Sequence, residues 1–395
     1  MLEYIEFILK GLQRTRSRTF LTLLGIIIGI AVIVAMVSIT QGMKSTMEGQ
    51  LAKLGGDKIT VMSAGIFGAG FGPPQEFVPF EESQLREIER IPGVKRVAPY
   101  LVKIAKVEFR GEETETYIYG ATEDGIDMYR EFLSIKTGRE IKEGEKGVVN
   151  IGAWVAKNMF DNEVHVGDTL TIKGEKFKVV GIYNEIGNRD DDSTITMSMK
   201  SAQELFDSDE ISYISVEAES EEVVGELSKK IEDRLKKMRG GKDFEVLTTK
   251  QLVERVAVVL DIVEFVLAGI ASISLIVGGV IVMNTMLVSV LERTREIGVM
   301  KATGATVNWI LGIFLLESGL MGLIGGGLGV IIGAIIAKVI EMIGQKHIGS
   351  MFITVVSGKL VFAALLLSLS LGILSGIYPA WRAAKLDPVE ALRYE

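Results

Sequence analysis

The 395-residue chain reads as an α-helical membrane protein: four transmembrane helices with a large inserted α+β extracytoplasmic domain of two lobes. Three observations predict that class. Apolar runs at 20–40, 265–290, 309–340 and 360–378 each come close to or exceed the roughly 20 residues that cross a bilayer core. Between the first two runs lies a charged stretch. Positions 41–258 hold 30 Lys/Arg against 40 Asp/Glu, whereas the rest of the chain holds 13 against 11, so an acidic soluble domain interrupts a nearly neutral membrane part. Lys10, Arg14, Arg16 and Arg18 precede the first run, and Arg382, Lys385 and Arg393 follow the last. The positive-inside bias therefore puts both termini in the cytoplasm of a multi-pass protein of the cell membrane.

Composition also excludes. An acidic outer domain is a poor partner for nucleic acid. Without cysteine there is no disulfide framework and no thiol chemistry. His165 and His347 are the only histidines, too few for a histidine-based metal site. No G-x-x-x-x-G-K-[ST] occurs, so the chain has no P-loop to cradle ATP phosphates, and it lacks H-E-x-x-H and G-x-S-x-G. The expectation is a non-catalytic chain with no cofactor of its own.

In residues 1–19, Leu2, Ile5, Ile8, Leu9 and Leu12 fall on one helical face, and Glu3, Glu6, Lys10 and Gln13 on the other. Such a helix either lies flat in the cytoplasmic interface against membrane lipids or packs on its own protein. The first transmembrane helix, 20–40, has no interior charge and too long an apolar core for a cleaved signal peptide. Its Gly25 and Gly29 form a small-xxx-small step for close helix contact.

The outer domain, 41–248, opens with a strand at 58–63 and a Gly/Pro-rich loop at 64–79. A helix at 80–90 is stopped by Pro92-Gly93. Alternating residues at 102–109 and 115–120 predict a hairpin, as do 169–173 and 176–183 around Gly174-Glu175. Segments 211–217, 221–238 and 244–247 form a β-α-β unit. Asp190, Asp191 and Asp192 lack the spacing of a dedicated calcium loop and read as a solvated turn.

Thr248 and Gln251 form a capping box that opens a helix over 249–290. Its 42 or so residues span roughly 63 Å, about twice the ~30 Å bilayer core. The upper half, with Val258, Asp261 and Glu264, should stand above the lipid as a stalk. In the third run, 309–340, Gly322, Gly325, Gly326, Gly327, Gly329 and Gly333 are spaced for close packing, and the triple glycine predicts a bend or break. Glu317, about eight residues into that run, is an intramembrane carboxylate with two readings. It is functional, or it is structural (protonated or bonded to a neighbouring helix), and the structural reading is favoured. An outer loop at 341–359 leads to the fourth helix, 360–378. Pro379 ends its lipid-buried part, Trp381 is an aromatic anchor, and 379–395 is a cytoplasmic tail.

The polar segment 291–308 joins the second and third runs. Glu292 and Glu296 stand four apart among Arg293, Arg295 and Lys301, while Ile297, Val299 and Met300 are apolar. That pattern fits a short charged helix closed by Gly304, which is either a docking face for a soluble partner or a solvated connector. The wording ERTREIGVMKATGA, together with the ending GIYPAWRAAKLDPVEALRYE, resembles the MacB/FtsX-like ABC-transporter permeases. The resemblance holds throughout from about Ala257, and in layout more than in motif before it.

The resemblance implies that Glu292, Arg293, Thr294, Arg295, Glu296, Ile297, Gly298 and Lys301 lie against a separate ABC ATPase subunit, which carries the ATP and Mg. It implies a stand-alone permease without a fused ATPase, paired with a second copy or a paralogue, and it allows an extracytoplasmic adaptor. One lobe of the outer domain would come from both ends of the segment, with the other inserted at about 125–207. The family works by mechanotransmission, in which ATP-driven closure inside moves the outer domains. Export or extraction of hydrophobic or peptide-like molecules is one implied role. An FtsX-like regulator of an extracytoplasmic enzyme and a lipoprotein-releasing permease are the alternatives. An outer domain of about 200 residues is closer to the exporter type.

Overall fold

The structure is a computed structural model that describes residues 16–63, 78–240 and 244–393. The amphipathic segment before Arg16, and most of the Gly/Pro-rich loop, lie outside the described residues. The chain divides into two compact units. One is the membrane unit, running up to Met43 and containing Val259–Ile343 and the chain from Ile353. The other, the outer domain, comprises Lys44–Val258 and Gly344–Phe352.

In the outer domain, ten described strands form one sheet. They are β1 (Lys58–Ser63), β2 (Val94–Phe109), β3 (Glu112–Ala121), β4 (Ile135–Gly138), β5 (Val148–Ile151), β6 (Thr169–Ile172), β7 (Glu175–Tyr183), β8 (Ile195–Ser198), β9 (Tyr213–Ala218) and β10 (Phe244–Thr248). Their order is β10-β1-β9-β2-β3-β8-β5-β7-β4, with β6 pairing β2 and β7. Both expected hairpins turn on two residues in the left-handed region. These are Arg110-Gly111 (φ 51° and 90°) and Lys173-Gly174 (φ 50° and 86°), a geometry that matches the twist of the flanking strands. The helix at Val224–Arg239 carries the chain from β9 to β10, and β1 runs antiparallel between those two strands.

Beside a smaller cluster of Ala98, Tyr100, Ala121, Ile126 and Met128, the sheet supports two large cores. Ile59, Val61, Ile88, Ile214, Val216 and Ile231 fill one; Leu101, Val107, Ile118, Val149, Leu170 and Ile195 fill the other. The long strand β2 is their seam, giving Val97 to the first and Leu101 to the second. On β9, Glu217 is buried and takes bonds from Arg96 (2.5 Å) and Lys95 (3.1 Å), with Lys58 at 3.3 Å. Burial alone would raise its carboxyl, but the three cations outweigh that and hold it at about 2.

The aspartate cluster corrects an expectation. Asp192 is not in a solvated turn: it is 4% exposed, and its two carboxylate oxygens accept from the backbone N–H groups of Ile186 and Gly187, both at 2.8 Å. This braced turn is bonded to the loop 344–352, where Arg189 N–H donates to Ile348 C=O (2.7 Å) and Met351 N–H to Gly187 C=O (2.8 Å). A carboxylate here satisfies backbone donors that the packed loop hides from water.

Among the described residues, four helices are long and apolar enough to cross a membrane. The first spanning helix (Arg16–Leu54) and the second (Thr249–Glu292) meet where Gly25 faces Gly278, and Gly29 lies over Leu275. In the third (Val307–His347), Gly329 and Gly333 lie against Ile27, Ile30 and Ala31 of the first, and Gly322 and Gly326 against Gly372 and Ser368 of the fourth (Gly358–Ala384). At each of these glycines a Cβ would collide with a neighbour, so the absence of a side chain is what sets the helix spacing. Outward residues are large and apolar, with Phe265 81% and Phe362 70% exposed, a surface suited to lipid and not to water.

One detail differs from expectation. The third helix runs unbroken through Gly325-Gly326-Gly327, because Gly325 and Gly326 are packed against Ile26 and Ser368 and the neighbours hold the backbone in place. The fourth helix continues past Pro379 to Ala384, among the fully buried Ala380, Ala383 and Ala384. The second helix begins with the capping box: Thr248 N–H donates to Gln251 Oε1 (2.9 Å), and Gln251 N–H to Thr248 Oγ1 (3.2 Å).

Two predictions follow from this packing and charge. Gly322→Ala puts a methyl group against the backbone of Gly372 and should destabilise by about 1–3 kcal/mol. Gly327→Ala enters open space and should be neutral or slightly stabilising, so the melting temperatures of the two purified variants should separate. For Glu217, the folded carboxyl titrates at about 2 against an ordinary 4.5. Its stabilisation is therefore complete above pH 4.5 and is lost as pH falls through about 2. Glu217→Gln should melt earlier at neutral pH and lose less stability on acidification than the parent chain.

Candidate functional site

The second spanning helix stops at Glu292, and Arg293 (φ −105°, ψ 15°) turns the chain into a separate helix, Thr294–Ala302. The Thr294 hydroxyl donates to Val290 C=O (3.0 Å) and Leu291 C=O (2.9 Å), covering carbonyls that the stop leaves without helical partners. Gly304 (φ +102°) closes the short helix, and Thr306 Oγ1 accepts from Trp309 N–H (3.3 Å) to start the third span.

Inward, the elbow helix is tied down at three points. Arg293 Nη1 stands 3.3 and 3.4 Å from the two carboxylate oxygens of Glu317, which is 2% exposed. A carboxylate at that depth needs a cation, and this pair supplies it. Lys301 Nζ donates to Ala384 C=O (2.9 Å) and Leu386 C=O (2.6 Å), closing the C-terminal end of the fourth spanning helix. Gly298 meets the tail helix Pro388–Arg393, where a Cβ would lie 2.8 Å from that of Ala391. Ile297 is fully buried beside it.

Outward, Glu292, Arg295, Glu296 and Val299 are exposed on one side, with Leu291 half exposed at the end of the spanning helix. These positions recur three or four residues apart, one stripe of a helix surface. The eight residues singled out in this segment therefore divide. Glu292, Arg295 and Glu296 face outward; Thr294, Ile297 and Gly298 face inward; Arg293 and Lys301 are spent on internal partners. Sequence reasoning missed the tail helix as the other half of the elbow. The small residues Ala383, Ala384 and Ala391 were the available signal. Trp381 is 47% exposed, with Lys385 Nζ 4.1 Å from its ring centroid.

Residues 19–234 match the MacB-like periplasmic core domain, and 268–388 match the FtsX-like permease C-terminal domain. The chain belongs to the MacB/FtsX-like ABC-transporter permeases. An uncharacterised ABC transporter permease of Methanocaldococcus jannaschii is 35% identical over the whole of this chain and 98% of its own length. The ABC transporter permease YknZ of Bacillus subtilis is 30% identical over the whole of both. The macrolide export ATP-binding/permease protein MacB of Bdellovibrio bacteriovorus is 31% identical over the whole of this chain and 62% of its own length. In this permease the FtsX-like match covers both the elbow and the fourth spanning helix whose end Lys301 closes. Membership of the family implies an ABC ATPase partner.

Lys301→Met keeps the length of the side chain and removes both charge-assisted bonds, worth about 1–3 kcal/mol together. Amide exchange across the tail helix should speed by roughly tenfold or more, while exchange in the middle of the spans stays unchanged.

Proposed function

We propose that this permease has no ATPase activity of its own and couples ATP hydrolysis, on a separate ABC ATPase bearing ATP and Mg, to movement of its extracytoplasmic domain. The carrying observation is the second spanning helix, unbroken for 44 residues from the capping box at Thr248 to the elbow at Arg293. At 1.5 Å per residue it is roughly 66 Å long, of which a bilayer core takes ~30 Å. A single helix with no hinge can carry displacement from one end to the other.

The elbow and tail face the cytoplasm in this reading, as the Lys/Arg distribution supports. The outward stripe of Glu292, Arg295, Glu296 and Val299 seats the ATPase. The Arg293–Glu317 pair and the Lys301 clamp share its push among the second, third and fourth spanning helices. Pairing with a second permease copy is carried over from the family resemblance. Export or extraction of hydrophobic or peptide-like molecules is the cargo reading. It is supported by the match of the outer domain to the MacB-like periplasmic core and by MacB being named for macrolide export.

The test separates seating from leverage. Glu292→Lys with Glu296→Lys should abolish co-purification of the ATPase, since like charges at an interface cost several kcal/mol, yet leave membrane insertion intact. Val258→Pro breaks the stalk, at a cost of ~3 kcal/mol or more. It should leave ATPase binding intact but remove the ATP-dependent change in spin-label distance between paired outer domains. A Val258→Pro variant that keeps the full distance change would sink the lever.

A further inference from the structure

Strand register gathers tyrosines onto one face of the outer-domain sheet. Tyr100 on β2 lies opposite Tyr213 on β9 and opposite Ala121 on β3. Tyr119, two residues before Ala121, therefore shares their face and lies opposite Thr196 on β8. The Tyr100 and Tyr213 rings stack with centroids 4.5 Å apart and planes 6° from parallel. Tyr129, just after the helix Glu123–Met128, and Tyr183, at the end of β7, add two more rings, and Asp191 completes the wall. Together they bound a cavity of about 170 Å³.

Its chemistry is one-sided. The Tyr100 hydroxyl donates to Gly125 C=O (2.7 Å) and the Tyr129 hydroxyl bonds Ser215 Oγ (2.6 Å), so these polar tips are used within the protein. Burial pushes the Tyr119 phenol up to about 12 and those of Tyr100 and Tyr213 well above their ordinary value, so all three stay neutral. Among the described residues the lining contains no Lys, Arg or His, and Asp191 is its one acid. Burial raises the Asp191 carboxyl, with Asp190 and Asp192 adding to the effect against an Asn188 hydrogen bond. Its ionised form therefore lacks a compensating cation within the cavity.

We propose that this cavity binds a small organic cation, a substituted ammonium group on a compact apolar body, held by cation–π contact with the tyrosine rings and by the Asp191 carboxylate. The negative face of an aromatic ring attracts such a group, and a desolvated ammonium gains most from it. An anion would meet a carboxylate and no base. A neutral apolar ligand would strip water from Asp191 and return nothing. The inference is independent of ATPase coupling and of any export role, because binding is read directly.

Choline and its neutral carbon isostere 3,3-dimethylbutan-1-ol are suitable probes, applied to the full chain in nanodiscs of phosphatidylglycerol and followed by calorimetry at millimolar concentration. Choline should bind saturably at one per chain, roughly tenfold or more tighter than the alcohol. Asp191→Asn should erase that preference by weakening choline alone. Tyr119→Leu, which leaves the carboxylate in place, should weaken choline by a similar factor at an unchanged melting temperature, and it decides the matter if Asp191→Asn fails to fold. No saturable choline binding, equal binding of the two probes, or choline affinity unchanged in a folded variant would each overturn the site.

Discussion

Backbone groups in lipid must be satisfied within the chain, and that constraint decides where this protein can turn. The second spanning helix stops at Glu292, where the Thr294 hydroxyl takes up the carbonyls of Val290 and Leu291. The fourth ends at Ala384, where Lys301 reaches across to the last carbonyls. At the other end of the second helix, Thr248 and Gln251 exchange bonds with each other's backbone. Between those ends nothing interrupts the ladder. Both ends of the long helix thus have their backbone groups bonded within the chain, and the proposed lever depends on the unbroken ladder between them.

The outer domain solves a different problem, joining two lobes without a loose joint. Strand β2 gives residues to both cores, pairing with β9 over Val94–Tyr100 and with β3 over Tyr100–Phe109, so one continuous strand links the lobes. Asp192 then braces the turn that holds the loop 344–352 by backbone bonds.

Features set by neighbours in sequence were legible without the structure. The four spans announce themselves by length and hydropathy, the two hairpins by alternation around Gly111 and Gly174, and the start of the long second helix by Thr248 and Gln251. What stayed hidden depends on partners far along the chain. Lys301 reads as one charge in a docking patch until Ala384 and Leu386, more than 80 residues on, are found beneath it. Asp192 reads as a solvated turn until the bonds to Ile186 and Gly187 are seen. The triple glycine reads as a weak point because composition does not reveal the Ile26 and Ser368 that pack against it. The tyrosine cavity needs the register of β2, β3, β8 and β9 together, and no single segment contains that.

The division of labour within the elbow follows from geometry more than from charge. A segment with five charged residues looks like a single electrostatic patch, yet Arg293 and Lys301 are turned inward, to a buried carboxylate and to helix-end carbonyls. Those two contacts cost little in water but are expensive to break in a low-dielectric bundle, because each leaves a polar group without a partner. The outward charges have the opposite economy: they are screened by salt and individually weak. An elbow built this way stays attached to its own helices under load, while the surface it offers to a partner can be released. That asymmetry suits the proposed seating of an ATPase, and it arises here from where each charge falls around the turn at Arg293 and along the nine-residue helix after it.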